Sequence, residues 1–160
     1  MAVYTRTSHV DAPLADVWEF HSRAEGLAAL TPGFANLRIE ATRGPDGTPD
    51  PDVLDAGAEV EVSVRPFGVG PRQRWVSRIV DRGRADGRAY FVDRMVEGPL
   101  ARWEHTHRFV AEGSGTRLVD RVDWAPPGGA AGELAARLGV VGLAPAFAYR
   151  HRRTRALLED

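Results

Sequence analysis

Hydrophobic and polar positions alternate with a period of two along the middle of the chain, and a helical period appears on either side of it. Ala2 to Val10 alternates weakly and is rich in β-formers, which predicts a strand. Pro13 then suits a helix start, and Leu14, Val17, Trp18 and His21 fall at i, i+3, i+4 and i+7, one helical face. A second short helix fits Ala24 to Leu30. It stops at Thr31-Pro32-Gly33, because proline disfavours helical backbone at the residue before it.

From Leu37 the period is two. Ala58, Val60, Val62 and Val64 alternate with Glu59, Glu61, Ser63 and Arg65, the pattern of a half-buried antiparallel strand. Trp75, Ser77 and Ile79 mark the next strand, Arg88 to Met95 the one after, and Gly98-Pro99 a turn. Across Arg102 to Ala111, the side chains of Trp103, His105, His107 and Phe109 share a face. Gly113-Ser114-Gly115 closes a hairpin into Thr116 to Trp124, where Leu118, Asp120, Val122 and Trp124 share a face. Gly44 to Asp55, with three prolines and four aspartates, reads as a loop.

Pro126-Pro127-Gly128-Gly129 ends the sheet, and Ala130 to Leu158 reads as one long helix. Leu134, Leu138 and Val141 mark its apolar face, which Phe147 and Leu158 extend. Gly139, Gly142 and Pro145 inside it predict a kink near Val141. Strands grouped in sequence with helices at the ends indicate an α+β fold. The expected architecture is a helix grip: a curved antiparallel sheet of six to seven strands around the C-terminal helix, with two short helices after strand one. A gap between such a sheet and its helix is a usual ligand site.

Length and composition narrow the chemistry. The 160 residues fit one domain, 1–160. The absence of cysteine excludes disulfides, thiolate metal sites and a cysteine nucleophile, and the absence of lysine excludes a Schiff base. A net charge of −1 gives no electrostatic case for nucleic acid. The weakly polar run Leu138 to Tyr149 is too short to span a bilayer, and no signal peptide pattern opens the chain, so a cytoplasmic protein without an integral membrane segment is expected. No phosphate loop, GxSxG elbow or dinucleotide fingerprint occurs, and no cofactor is expected. Nothing in the pattern points to one oligomeric state.

Two histidines on a buried face are unusual, because an imidazole needs partners once it leaves water. Asp93 on one neighbouring strand and Asp120 on the other are within reach of His105 and His107 if they face inward. Three readings compete for the cluster. It is a structural polar network, or it orients the polar end of a ligand, or a histidine acts as general acid/base with His105, His107, Asp93 and Asp120 as the catalytic set. Position along the strand makes His105 the more structural of the two histidines and His107 the one nearer the ligand. No native metal is expected, since histidines at i and i+2 are a weak signal and no HExxH occurs. Trp75, Phe91, Trp103, Phe109, Trp124 and Phe147 are candidate pocket walls as well as plain core. Arg150, His151, Arg152, Arg153 and Arg155 form a basic run of the kind that is usually a solvated helix face.

The ordered set of motifs resembles the SRPBCC superfamily, which includes START domains, polyketide cyclase/dehydrases and ligand-binding plant proteins. The resemblance is carried by Val10-Asp11-Ala12-Pro13 with Val17-Trp18, Leu30-Thr31-Pro32, Phe91-Val92-Asp93 and Gly98-Pro99. It continues through Trp103-Glu104-His105-Thr106-His107-Arg108-Phe109, Gly115-Thr116 with Asp120, and Phe147-Ala148-Tyr149-Arg150. Within the superfamily the chain is most similar to small bacterial and archaeal ligand-binding proteins. The resemblance implies the helix-grip fold and an apolar cavity for a small molecule such as a lipid, isoprenoid or polyketide-like compound. The alternative it carries is a cyclase or dehydratase working in the same cavity.

Overall fold

The computed structural model describes residues 1–159, and of residues 130, 131 and 133–141 the backbone only. The elements run β1 (Ala2–Val10), α1 (Leu14–His21), α2 (Ala24–Ala29), β2 (Arg38–Arg43), β3 (Glu59–Val64), β4 (Gln73–Ala85), β5 (Arg88–Glu97), β6 (Arg102–Glu112), β7 (Gly115–Ala125) and α3 (Gly129–Leu158). All seven strands form one antiparallel sheet in the order β1-β7-β6-β5-β4-β3-β2. This is the α+β helix grip the pattern predicts: β1 closes beside β7, and the hairpins β2 to β7 follow in sequence order.

Curvature comes from irregular register. Bulges put one extra residue on β2 between Ile39 and Ala41, one on β4 between Ile79 and Asp81, and one on β5 between Met95 and Glu97. An extra residue on one strand bends it and increases its twist. β4 runs six residues beyond the predicted Ile79, into the polar stretch Val80–Ala85. Alternation hides that extension because its polar residues are tied down. Arg82 donates to the Leu54 carbonyl at 2.7 Å and to Ser22 Oγ at 3.1 Å, and its guanidinium lies 4.4 Å from the Trp18 ring centre. The link to β5 is the two-residue turn Asp86-Gly87, both at positive φ, a hairpin signal the sequence carried in plain view.

The Gly44–Asp55 loop is anchored at its end by Leu54, which is buried and whose N–H donates to the Ser22 carbonyl. One apolar cluster joins α1 to the sheet through Val10, Val17, Trp18, Phe91, Phe109 and Leu118. A second, of Val122, Trp124 and Phe147, packs α3 on the β1, β6 and β7 end. Gly26 allows α2 to fold back on α1, since a Cβ there would collide with the Phe20 carbonyl. The side chains of the expected helix face at Leu134, Leu138 and Val141 lie outside the described residues, and the backbone there runs as one helix, Gly129–Leu158, with Pro145 inside it. Among the described residues no helix is long and apolar enough to cross a membrane.

Candidate functional site

The concave side of β3 to β6, α1, α2 and the second half of α3 enclose a cavity of about 460 Å³. Val60, Val62, Ile79 and Phe91 form its buried wall, and the half-buried Val64, Trp75, Met95, Leu100 and Trp103 its rim. The two-residue period explains the wall: every second residue of β3 and of the first half of β4 faces inward.

The polar groups gather at one end. Strand register sets Asp93 opposite His105 and His107 opposite Asp120. His105 Nε2 donates to Asp120 Oδ1 at 2.9 Å, and His107 Nε2 donates to Asp93 Oδ2 at 2.9 Å. Ser77 Oγ donates to Asp93 Oδ1 at 2.8 Å. From α3, His151 Nε2 donates to Asp120 Oδ2 at 2.7 Å, and its Nδ1 accepts from Ser8 Oγ at 2.6 Å. The two strand histidines lie with ring centres 3.6 Å apart, His107 stacked on Phe91 and His105 edge-on to Phe147.

Burial and pairing pull the ionisations in known directions. Burial opposes charge on Asp120, but the imidazoles of His105, His107 and His151 packed around it hold its carboxyl well below the usual carboxylate range. Asp93 is also held low: burial works against ionisation, and the His107 hydrogen bond with the nearby His105 outweighs it. Burial pushes His105 down, helped by His107 and opposed by both aspartates.

Of the residues singled out in the sequence, Trp75, Phe91, Asp93, Trp103, His105, His107 and Phe147 line the cavity. Phe109, Asp120 and Trp124 do not reach it, which corrects the expected lining. Phe109 is fully buried behind the wall against Trp18 and His21. Asp120 is buried behind the two histidines, with both oxygens engaged. Trp124 packs with Val122 and Phe147 under α3. The division of labour expected between His105 and His107 is not visible in their positions, since both line the cavity and both are buried.

Four of the five histidines are buried, so two were missed as parts of the site. The basic run around His151 predicts a solvated side chain, yet it is 1 % exposed. The signal was helical spacing: Phe147, His151, Thr154 and Leu158 fall at i, i+4, i+7 and i+11, while Arg152, Arg153 and Arg155 point to solvent. Arg150 turns inward to line the cavity, its Nε 3.9 Å from Asp120 Oδ2. His21 lines the opposite wall from α1. Its Nδ1 donates to the Val17 carbonyl at 2.8 Å, so Nε2 is left as an acceptor. Burial, reinforced by Arg150, pushes its pKa down to about 3.

His21 Nε2, His107 Nδ1 and Arg150 Nε are buried and have no hydrogen-bond partner among the described residues. Such atoms are costly unless something pairs with them. Asp93, His105 and His107 also offer one ligand atom each within 4.8 Å of one another, a spacing able to hold a metal ion.

The family described as polyketide cyclase / dehydrase and lipid transport matches residues 10–151. The chain belongs to that family. Solved structures of the same fold include a START superfamily protein from Mycobacterium smegmatis, at 13% identity and a TM-score of 0.59 over 98% of this chain and 97% of the other. The Zhui aromatase/cyclase from Streptomyces aligns at 16% identity and a TM-score of 0.67 over 99% and 93%. Norcoclaurine synthase from Thalictrum aligns at 17% identity and a TM-score of 0.68 over 98% and 93%. At these identities the likeness is one of fold. No curated protein sequence matches this one. Membership of the polyketide cyclase / dehydrase and lipid transport family fixes the frame, and one such frame serves several chemistries.

Proposed function

We propose that the cavity binds an apolar small molecule of lipid, isoprenoid or polyketide-like character, with its polar end among His21, His105, His107, Asp93 and Arg150. The observation that carries this reading is the pairing of an apolar wall with buried polar atoms on His21 and Arg150 that have no hydrogen-bond partner among the described residues. A ligand carrying a hydroxyl and a carbonyl or carboxylate supplies what they lack: a donor for His21 Nε2 and an acceptor for Arg150. Burying the remaining carbon skeleton against valine, isoleucine and aromatic side chains stabilises the complex by roughly 25 cal/mol per Å².

A second reading, a cyclase or dehydratase, is favoured by the His107–Asp93 pair at 2.9 Å facing the same space. The imidazole and the carboxylate share one proton, and the pair then exchanges a proton with a carbon next to a substrate carbonyl through Asp93, which lines the cavity. Mass spectrometry of molecules extracted from the purified protein separates the readings. One unreacted apolar compound per chain is the expected result and supports carriage. Two compounds differing by one water support the enzyme. An empty extract from a protein that also takes up no added lipid contradicts both.

A further inference from the structure

We infer that Asp93, His105 and His107 form a mononuclear metal site of two histidines and one carboxylate, open to the cavity and suited to Zn²⁺ or Fe²⁺. This rests on the cavity reading only for what completes the coordination.

The geometry begins with Asp93 Oδ2. It lies 2.9 Å from His107 Nε2 and 3.6 Å from His105 Nδ1, so one nitrogen of each ring faces the same oxygen. Ligands about 2.0–2.2 Å from a metal stand about 2.9 Å apart at right angles and about 3.4 Å apart in a tetrahedron, and the two observed separations fall close to this range.

The outer nitrogens of both rings face a second carboxylate. His105 Nε2 is 2.9 Å and His107 Nδ1 3.1 Å from the same atom, Asp120 Oδ1. Histidines that bind metals characteristically donate their other N–H to a carboxylate, which fixes the tautomer and raises ligand basicity. In the metal-free network His107 Nε2 carries the proton and its Nδ1 is unpaired among the described residues. With a metal on Nε2 the proton moves to Nδ1, beside Asp120 Oδ1, and that buried atom gains a role. Asp93 is held in turn by Ser77, and Asp120 by His151, which itself accepts from Ser8. Asp93 thus has its own orienting partner, and the two histidines share one in Asp120.

Charge points the same way. Asp120 is buried and Asp93 half-buried, and Arg150, 3.9 Å from Asp120, is the one arginine within salt-bridge distance of either among the described residues. Two carboxylates drawn this far out of water favour a cation between them. Two imidazoles and a carboxylate without thiolates are a donor set for Zn²⁺ or Fe²⁺ rather than Ca²⁺ or Mg²⁺. All three ligands line the cavity, so the open coordination positions face the space where a ligand's oxygen would sit.

The test uses Zn²⁺ alone, in competition with a chromogenic zinc indicator of micromolar affinity, on the full chain after chelator treatment. The wild type is expected to take up one equivalent and to melt at a higher temperature with zinc. Asp93→Asn and His105→Gln, which keep hydrogen-bonding groups in place, are expected to weaken uptake about 10–100-fold or more, the loss typical of disturbed metal ligation. A wild type that leaves the indicator saturated overturns the site. So does equal uptake by wild type and both folded variants, which would place zinc elsewhere on the chain. Binding of an apolar probe to the chelated protein is measured alongside: probe binding without zinc uptake removes the metal and leaves the cavity reading standing.

Discussion

Asp120→Ala is expected to destabilise the protein by about 3–5 kcal/mol, the cost of breaking a buried ionic network by deleting one partner. The carboxylate is fully buried and accepts from His105 on β6 and His151 on α3 through different oxygens. It therefore links the sheet to the helix that covers it. Removing it leaves both donors unsatisfied, each costing about 1–3 kcal/mol. Urea melts measure the loss, and for a domain of this size the melting temperature falls on the order of 10 °C. Asp120→Asn keeps one acceptor oxygen and loses less. A loss below about 1 kcal/mol for the alanine variant would show that α3 is held by Phe147 and its apolar neighbours alone.

Acid sensitivity from His21 is the second large effect. Its pKa falls from 6.5 to about 3 on folding, so between those values the unfolded chain binds a proton the native state refuses. Stability is unaffected by this group above pH 6.5 and declines as pH falls toward 3. Acidification from pH 7 to pH 5 removes about 2 kcal/mol through His21 alone. Asp93 and Asp120, both held low, are ionised in both states between pH 7 and pH 5 and add nothing there; they add to the loss only once the pH falls to about 3.8, where the unfolded aspartates take up protons. His105, also lowered, contributes in the same direction. The measurement is the difference in slope of stability against pH between wild type and His21→Phe. A shallower slope for the variant is expected, whatever its absolute stability. Parallel slopes would mean that His21 Nε2 is hydrated or already paired in solution.

The local patterns were legible where one period ran unbroken. β3, β6 and β7 alternate cleanly, and that alternation alone put His105 and His107 on the buried side of β6 and Asp120 on the buried side of β7. Pairing them with Asp93 needed register, which strand sequences do not state. Register also decided which groups reach the cavity: Asp120 and Phe109 share the buried side with the lining residues but stand behind them. The second half of β4 was hidden because Asp81 and Arg82 are strand residues satisfied by tertiary partners. His151 was hidden by composition, since four arginines within four residues of it make a buried imidazole look like part of a charged face. His21 was placed on the right helical face, but nothing local shows that the face meets a cavity.

Filling the cavity tests the binding reading directly. Val62 is 1 % exposed and lines the wall from β3. Val62→Trp occupies the space without touching the histidine cluster. Inserting bulk into a packed core costs about 1–3 kcal/mol, whereas bulk entering a real cavity is tolerated. Wild type and variant are titrated with cis-parinaric acid, a fluorescent fatty acid, with melting curves recorded in parallel. The expected result is one molecule bound per wild-type chain and an affinity reduced about tenfold or more in a folded variant, a difference of about 1.4 kcal/mol or more. Weak uptake on the exposed Phe34 and Phe67 patch is common to both proteins and cancels in the comparison. Equal affinity in the two proteins would contradict the assignment of the cavity as the ligand site.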